Sequence, residues 1–120
     1  MNKIKATLTG DTIIEEAKKY IGSPYKWGKN GPISFDCSGF TQYIYNEALG
    51  IHIPRTVYDQ LKFGRSVYIS DLAPGDLIFT LKADHVGIFV DNGQFIHAPY
   101  AGQKVKISYI LDFYTARRII

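Results

Sequence analysis

The stretch His85-Val86-Gly87-Ile88-Phe89-Val90-Asp91-Asn92-Gly93-Gln94-Phe95-Ile96-His97-Ala98 decides how the second half of the chain folds. Two apolar runs rich in β-branched and aromatic residues flank the turn formers Asp91, Asn92 and Gly93, the pattern of a β-hairpin. The length of the turn determines which side chains share a face. A two-residue loop that pairs Asp91 with Gln94 sets His97 opposite Ile88. His85 and His97 then point to opposite faces, because strand side chains alternate. A three-residue loop with Gly93 left-handed, or an equivalent bulge, pairs Val90 with Gln94 and His97 with Gly87. The two imidazoles are then diagonal neighbours on one face, about 7–8 Å apart at the backbone. We expect this second register.

Upstream, Asp71-Leu-Ala-Pro-Gly-Asp76 reads as a turn leading into a strand at Leu77–Leu81, and Asp76 as a turn-forming or buried hydrogen-bonding group. Downstream, Lys104–Ile110 and Thr115–Ile120 complete the strand set. The first half is helical. Thr12 with Glu15 three residues later suggests a capping box, and Ile13, Ala17 and Ile21 recur at fourfold spacing, so a helix is expected over Thr12–Ile21 until Gly22 and Pro24 stop it. A second helix is expected from Cys37 to Gly50, capped by Asp36 or Ser34. A third should run over Val57–Phe63, with Thr56 as cap and Gly64 as stop. Between the first two, residues 22–35 are dense in Gly and Pro and form a loop carrying Tyr25 and Trp27 that either packs on the core or lines a site, with Trp27 read as a packing residue ahead of a sugar platform. Helices followed by a meander predict an α+β fold, about three N-terminal helices packed on a five- to six-stranded antiparallel sheet.

A length of 120 residues with 46% apolar and 21% charged residues suits one folded domain and excludes disorder. The net charge of +3 is scattered, so no nucleic-acid stripe is expected. The single cysteine excludes an internal disulfide. No apolar run approaches the roughly 20 residues of a membrane span, and Met1–Gly10 lacks a hydrophobic signal core. We read residues 1–10 as an extension and 11–120 as a single domain, expected to be monomeric. Export, if it occurs, uses another route or a longer parent chain.

Cys37 is the first candidate for chemistry. A lone cysteine is commonly a small buried hydrophobe. This one sits at the predicted first turn of a helix, where free N–H groups and the helix dipole favour a thiolate and lower the thiol pKa. The same N–H groups can hold an oxyanion. Ser38 and Gly39 are small and let a substrate approach. His85 and His97, each alone a satisfied core or rim residue, together on one hairpin face supply what a nucleophilic thiol needs: one imidazole to take the proton and a second group to orient it. Asp84, next to His85, is expected to point away from it. His52, in a turn, reads as a surface residue.

These residues resemble a family. Phe35-Asp36-Cys37-Ser38-Gly39-Phe40 is similar to the nucleophile motif of NlpC-type peptidoglycan peptidases, a papain-like group. So are Tyr25-Lys26-Trp27-Gly28, Pro54-Arg55-Thr56 with Gln60, Pro74-Gly75-Asp76-Leu77, His85-Val86-Gly87-Ile88 and His97-Ala98. The resemblance runs in order over about residues 11 to 119. It implies a cysteine endopeptidase that cuts the stem peptide of the cell wall between D-glutamate and the diamino acid, with Cys37, His85 and His97 as nucleophile, base and orienting residue. It also implies that Tyr25, Asp36, Ser38 and Arg55 build the substrate pocket, that no metal or cofactor is used, and that the protein acts outside the cell or in the wall. Two departures stand out: no second glycine follows Gly28, and Val57 occupies a place where the family commonly has serine. A wall amidase or acyltransferase using the same thiol, a zinc site on Cys37, His85 and His97, and a non-catalytic wall-binding module remain alternatives.

Overall fold

The computed structural model describes residues 3–120, with side chains from Thr9 onward. Three helices precede a six-stranded sheet: α1 (Lys3–Lys18), α2 (Cys37–Leu49) and α3 (Val57–Leu61), then β1 (Arg65–Val67), β2 (Leu77–Thr80), β3 (His85–Asp91), β4 (Gln94–His97), β5 (Lys106–Tyr109) and β6 (Phe113–Arg118). The strand order is β1-β6-β2-β3-β4-β5 and every pair is antiparallel. The expected α+β class, helix count and sheet type all hold.

The first helix differs from expectation. It begins at Lys3, and Thr12 lies in its interior and caps nothing at its start. It passes through Gly10 because a side chain there would stand 2.3 Å from the Pro74 carbonyl oxygen. Close packing against the turn before β2 thus outweighs the low helix propensity of glycine. Ile13, Ile14 and Ala17 are buried as the periodicity requires, but Ile21 falls beyond the helix and is exposed.

The second helix begins at Cys37 as expected. Asp36 caps it by accepting the Gly39 N–H at 2.7 Å, and Gly50 ends it in the left-handed region at φ 67. The third helix takes its cap from Thr56, whose Oγ1 accepts the Asp59 N–H at 3.1 Å. One face of the sheet buries Leu77, Phe79, Val86, Ile88 and Ile96 against Ile13, Phe40 and Ile44 of the helices. The other face carries a smaller core of Val67, Ile78, Phe89, Phe95 and Ala116. Asp76 is buried in the turn before β2. Its carboxylate accepts the Ala73 N–H and both a Nε and a Nη2 bond from Arg118, fastening that turn to β6.

The β3–β4 hairpin reaches the expected register by the bulge alternative. Asp91 pairs with Gln94 around a two-residue turn, with Asn92 at φ 48 and Gly93 at φ 73, the handedness of a type I′ turn. The register then shifts between Phe89 and Asp91, so that Phe89 faces Phe95 and Ile88 faces Ile96. Val90 is the extra residue, and without it His97 would sit on the wrong face. The next step of the ladder brings His97 against Gly87. A side chain at 87 would come within 2.5 Å of the Phe95 ring and 2.9 Å of the His97 Cβ. Gly87→Ala should therefore lose about 1–3 kcal/mol of stability by overpacking and displace the His97 ring. Urea unfolding and imidazole NMR measure the two effects, and an unchanged His97 spectrum would contradict the contact.

Candidate active site

Asp36 does more than cap α2. Its Oδ2 accepts the Gly28 N–H at 2.9 Å and Arg55 Nη2 at 2.8 Å, while its Oδ1 accepts Arg55 Nη1 at 3.0 Å. Arg55 Nη1 also donates to Ser38 Oγ at 3.0 Å. Behind them the buried Gln60 accepts from Thr41 Oγ1 at 2.7 Å and donates to the Ser38 and Pro54 carbonyls at 3.0 and 2.8 Å. The start of α2, the glycine-rich loop and the Pro54-Arg55 segment are thereby fixed relative to one another. Burial would raise the Asp36 carboxyl, but the Arg55 guanidinium and the Gly39 and Gly28 N–H groups together hold it below its ordinary value.

Cys37 is a free, half-buried thiol on the wall of a cleft of about 1110 Å³. Tyr25, Asp36, Ser38, Arg55, His85 and His97 line the same cleft, so every site residue expected from the sequence is gathered in one place. Trp27 lines it too and is 83% exposed, which corrects its reading as a packing residue. Asp84 also lines it: β3 starts only at His85, so strand alternation does not carry Asp84 to the opposite side.

The two imidazoles touch. His85 Nε2 lies 2.7 Å from His97 Nδ1, and His97 Nε2 lies 2.9 Å from Ser108 Oγ. The Phe95 ring stacks on His97 with centroids 4.1 Å apart and planes inclined by 23°. His85 Nε2 is taken by His97, so Nδ1 is the ring nitrogen of His85 that remains open in the cleft it shares with Cys37. Ser108 was not foreseen. It faces Phe95 across the β4–β5 ladder, two residues along from Lys106, the partner of His97. The register that puts it there depends on the irregular connection between β4 and β5, which carries no periodic signal.

Burial dominates the electrostatics. It raises the Cys37 thiol above its ordinary 9.0, although the Val86, Ser38 and Cys37 N–H groups favour the anion. This corrects the expectation that the helix start alone would lower it. Burial likewise lowers His85 to about 4, against a small opposing pull from Asp84. It lowers His97 to about 3, with His85 and Lys106 adding to the effect. The thiol and the imidazole that share this cleft are thus both neutral at rest. Tyr25 is raised, first by burial and then by the proximity of Cys37 and Asp36. Among the described residues no group of three or more His, Cys, Asp or Glu side chains is arranged to hold a metal ion. Since both imidazoles titrate well below the ordinary 6.5, the unfolded chain takes up protons that the folded chain refuses. Their contribution to stability is complete above pH 6.5 and is lost as pH falls toward 4 and then 3. The urea midpoint should drop over that range, and His97→Asn should flatten the drop; equal slopes for the two proteins would refute it.

Comparison with known proteins accords with this geometry. The profile of the NlpC/P60 family matches residues 22–120. The chain is 41% identical over 108 residues to a gamma-DL-glutamyl hydrolase of Bacillus subtilis, covering 85% of this chain and 26% of that protein. It is 35% identical to the murein DD-endopeptidase MepH of Escherichia coli, covering 99% of this chain and 47% of MepH. Among solved structures, the NlpC/p60 domain of the peptidoglycan hydrolase SagA superposes with a TM-score of 0.86 at 38% identity, covering 91% of this chain and 97% of that one. RipB of Mycobacterium tuberculosis, also a peptidoglycan hydrolase, superposes with a TM-score of 0.88 at 29% identity, covering 100% and 69%. The chain spans less than half the length of the two curated relatives. The fold is papain-like. With the family profile extending over the cysteine, both histidines and the strands that present them, the chain belongs to the NlpC/P60 family.

Proposed function

We propose that the protein hydrolyses the peptide stems of peptidoglycan, cutting between D-glutamate and the diamino acid with Cys37 as nucleophile. His85 serves as general base and acid, and His97 as the residue that orients it. The observation that carries this reading is the convergence on one cleft of a thiol at the start of α2 and a hydrogen-bonded imidazole pair. The names of the relatives support a peptide bond of the wall as the target.

In the reaction, the Cys37 sulfur attacks the amide carbonyl carbon while its proton passes to His85 Nδ1. Because thiol and imidazole are both neutral at rest, proton transfer accompanies attack and no standing thiolate is needed. Negative charge on the carbonyl oxygen is met by backbone N–H groups at the start of α2. The imidazolium then protonates the leaving amine of the diamino acid. Water, deprotonated by His85, hydrolyses the thioester and frees the enzyme. Tyr25, Ser38 and the Asp36–Arg55 pair form the polar wall against which the stem peptide lies. Such a substrate places the protein outside the cell or within the wall.

The relatives are named for different bonds, one γ-DL-glutamyl and one DD, so a cut at the peptide cross-link is the second reading. Mass spectrometry of muropeptides digested by wild type and by Cys37→Ala tests both. Wild type should shorten uncross-linked muropeptides to glycan-linked L-alanyl-D-glutamate, releasing the diamino acid with any D-alanine attached to it, and Cys37→Ala should lose at least about a thousandfold in rate while keeping its fold. Resolution of cross-linked dimers into monomers with intact stems would favour the DD reading. Undiminished activity of Cys37→Ala would eliminate the nucleophile assignment.

A further inference from the structure

The hydrogen-bond chain does not end at the second imidazole. His97 Nε2 reaches Ser108 Oγ at 2.9 Å, on a strand that supplies no other member of the proposed machinery. A single proton bridges His85 Nε2 and His97 Nδ1, and where it sits decides what His85 can do. With the proton on His97, the neutral His85 carries its own proton on Nδ1 and cannot accept another there. With the proton on His85 Nε2, the His85 Nδ1 lone pair is free and His97 Nδ1 is an acceptor. His97 must then carry its proton on Nε2, and that N–H needs an acceptor. The Ser108 oxygen is the acceptor at the right distance.

We infer that Ser108 is a positioning residue, the terminal acceptor that holds His97 as an Nδ1 acceptor and so leaves His85 free to take the Cys37 proton. The requirement is strictest once that proton has moved. Protonated His85 donates from both nitrogens, so His97 can only accept at Nδ1 and donate at Nε2. Of the two proton settings open to the neutral chain, one alone survives charging, and in it Ser108 accepts. One proton leaves Cys37 Sγ, one arrives at His85 Nδ1, and no other bond to hydrogen is broken. The charged groups around the chain assign the positive charge to the same place. Asp84 favours a cation on His85, whereas Lys106 opposes one on His97. Phe95, stacked on His97, holds the ring in the plane that aims Nε2 at Ser108.

This inference rests on the proposed thiol chemistry but is tested partly apart from it. In the full chain, Ser108→Ala should lower kcat on a soluble stem peptide by about tenfold or more with KM within about twofold of wild type. Ser108→Thr, which restores a hydroxyl, should recover most of the loss. The chain has 3 histidines, so nitrogen-15 NMR can assign each imidazole. Wild type should show His97 as the Nε2–H tautomer, and Ser108→Ala should show a mixture. The rate of Cys37 alkylation by iodoacetamide should fall in parallel. Unchanged kcat with unchanged His97 tautomer in Ser108→Ala, or an Nδ1–H tautomer for His97 in wild type, would overturn the assignment. If wild type cuts no stem peptide, the functional proposal fails, while the NMR and alkylation measurements still decide the role of Ser108.

Discussion

The carboxylate of Asp36 accepts hydrogen bonds of 3.0 Å or less from Gly28, Gly39 and both terminal nitrogens of Arg55. These donors come from three segments that are far apart in sequence, and without Asp36 each would have a buried or half-buried N–H to satisfy elsewhere. A nearly buried charge is tolerated only when it is so completely paired, although the partial exposure of Arg55 makes loss of this pair less costly than loss of a fully buried one. The cap therefore fixes more than a helix end. It sets the orientation of the first turn of α2, hence of Cys37, against the loop carrying Tyr25 and Trp27 and against the segment before α3. Polar pairing on this side of the cleft is matched by apolar packing on the other, where Gly87 makes room for the Phe95 ring and the His97 side chain.

Burial works on the thiol and the imidazoles in opposite senses, and both discourage an ion pair at rest. A helix start favours a thiolate, but only as one contribution against desolvation. The hydrogen-bond chain through His97 resolves the tension. In the proposed reaction it leaves the Nδ1 lone pair of neutral His85 free, and once His85 is protonated it accepts the Nε2 proton's hydrogen bond at His97 Nδ1, with Ser108 accepting in turn from His97. Selective support of a charged state that exists only during reaction is how preorganised polar groups lower a barrier.

Much of this was legible in the sequence because local rules carried it. Asp36 before Cys37, Thr56 before Val57 and Gly50 after Leu49 are capping signals that operate within one turn, and each did what its chemistry requires. The histidine register was legible in its outcome because only a three-residue loop or a bulge brings both imidazoles to one face; burial could not select it, since β3 and β4 are buried along nearly their whole length. The device that achieves it, an extra residue at Val90 beside an Asn92-Gly93 turn, is only one of the ways to reach that register. What could not be read was tertiary. α1 continues through Gly10 because the backbone of Pro74 passes there, and Thr12-x-x-Glu15 is a capping box in composition only. Trp27 stands exposed because the loop is anchored through its backbone, at Tyr25 to Gln103 and at Lys26 to Phe35, so its ring is not needed for packing. Ser108 becomes visible only when β5 is laid beside β4.

The link between β2 and β3 shows how strongly the cleft constrains the chain. Leu81, Lys82 and Ala83 take φ values of 54, 54 and 69, a full turn of left-handed backbone built from residues with side chains. Each such residue costs about 1–2 kcal/mol relative to the right-handed form. None is glycine, so the strain is not relieved by composition. The turn is held from both ends: Leu81 N–H donates to the Asp112 carbonyl at 3.1 Å, and Asp84 N–H donates to the Thr80 and Leu81 carbonyls at 3.2 and 3.1 Å. Thr80 pairs with His85 directly across its base. A relaxed, longer loop could join the same strands, but it would not place Leu81, Ala83 and Asp84 on the cleft wall immediately beside His85. Strain held in place next to the proposed base is a common mark of a functional wall. The β3 strand thus begins at His85 with its direction imposed from outside the sheet, by the turn, as well as from within it, by the bulge at the far end.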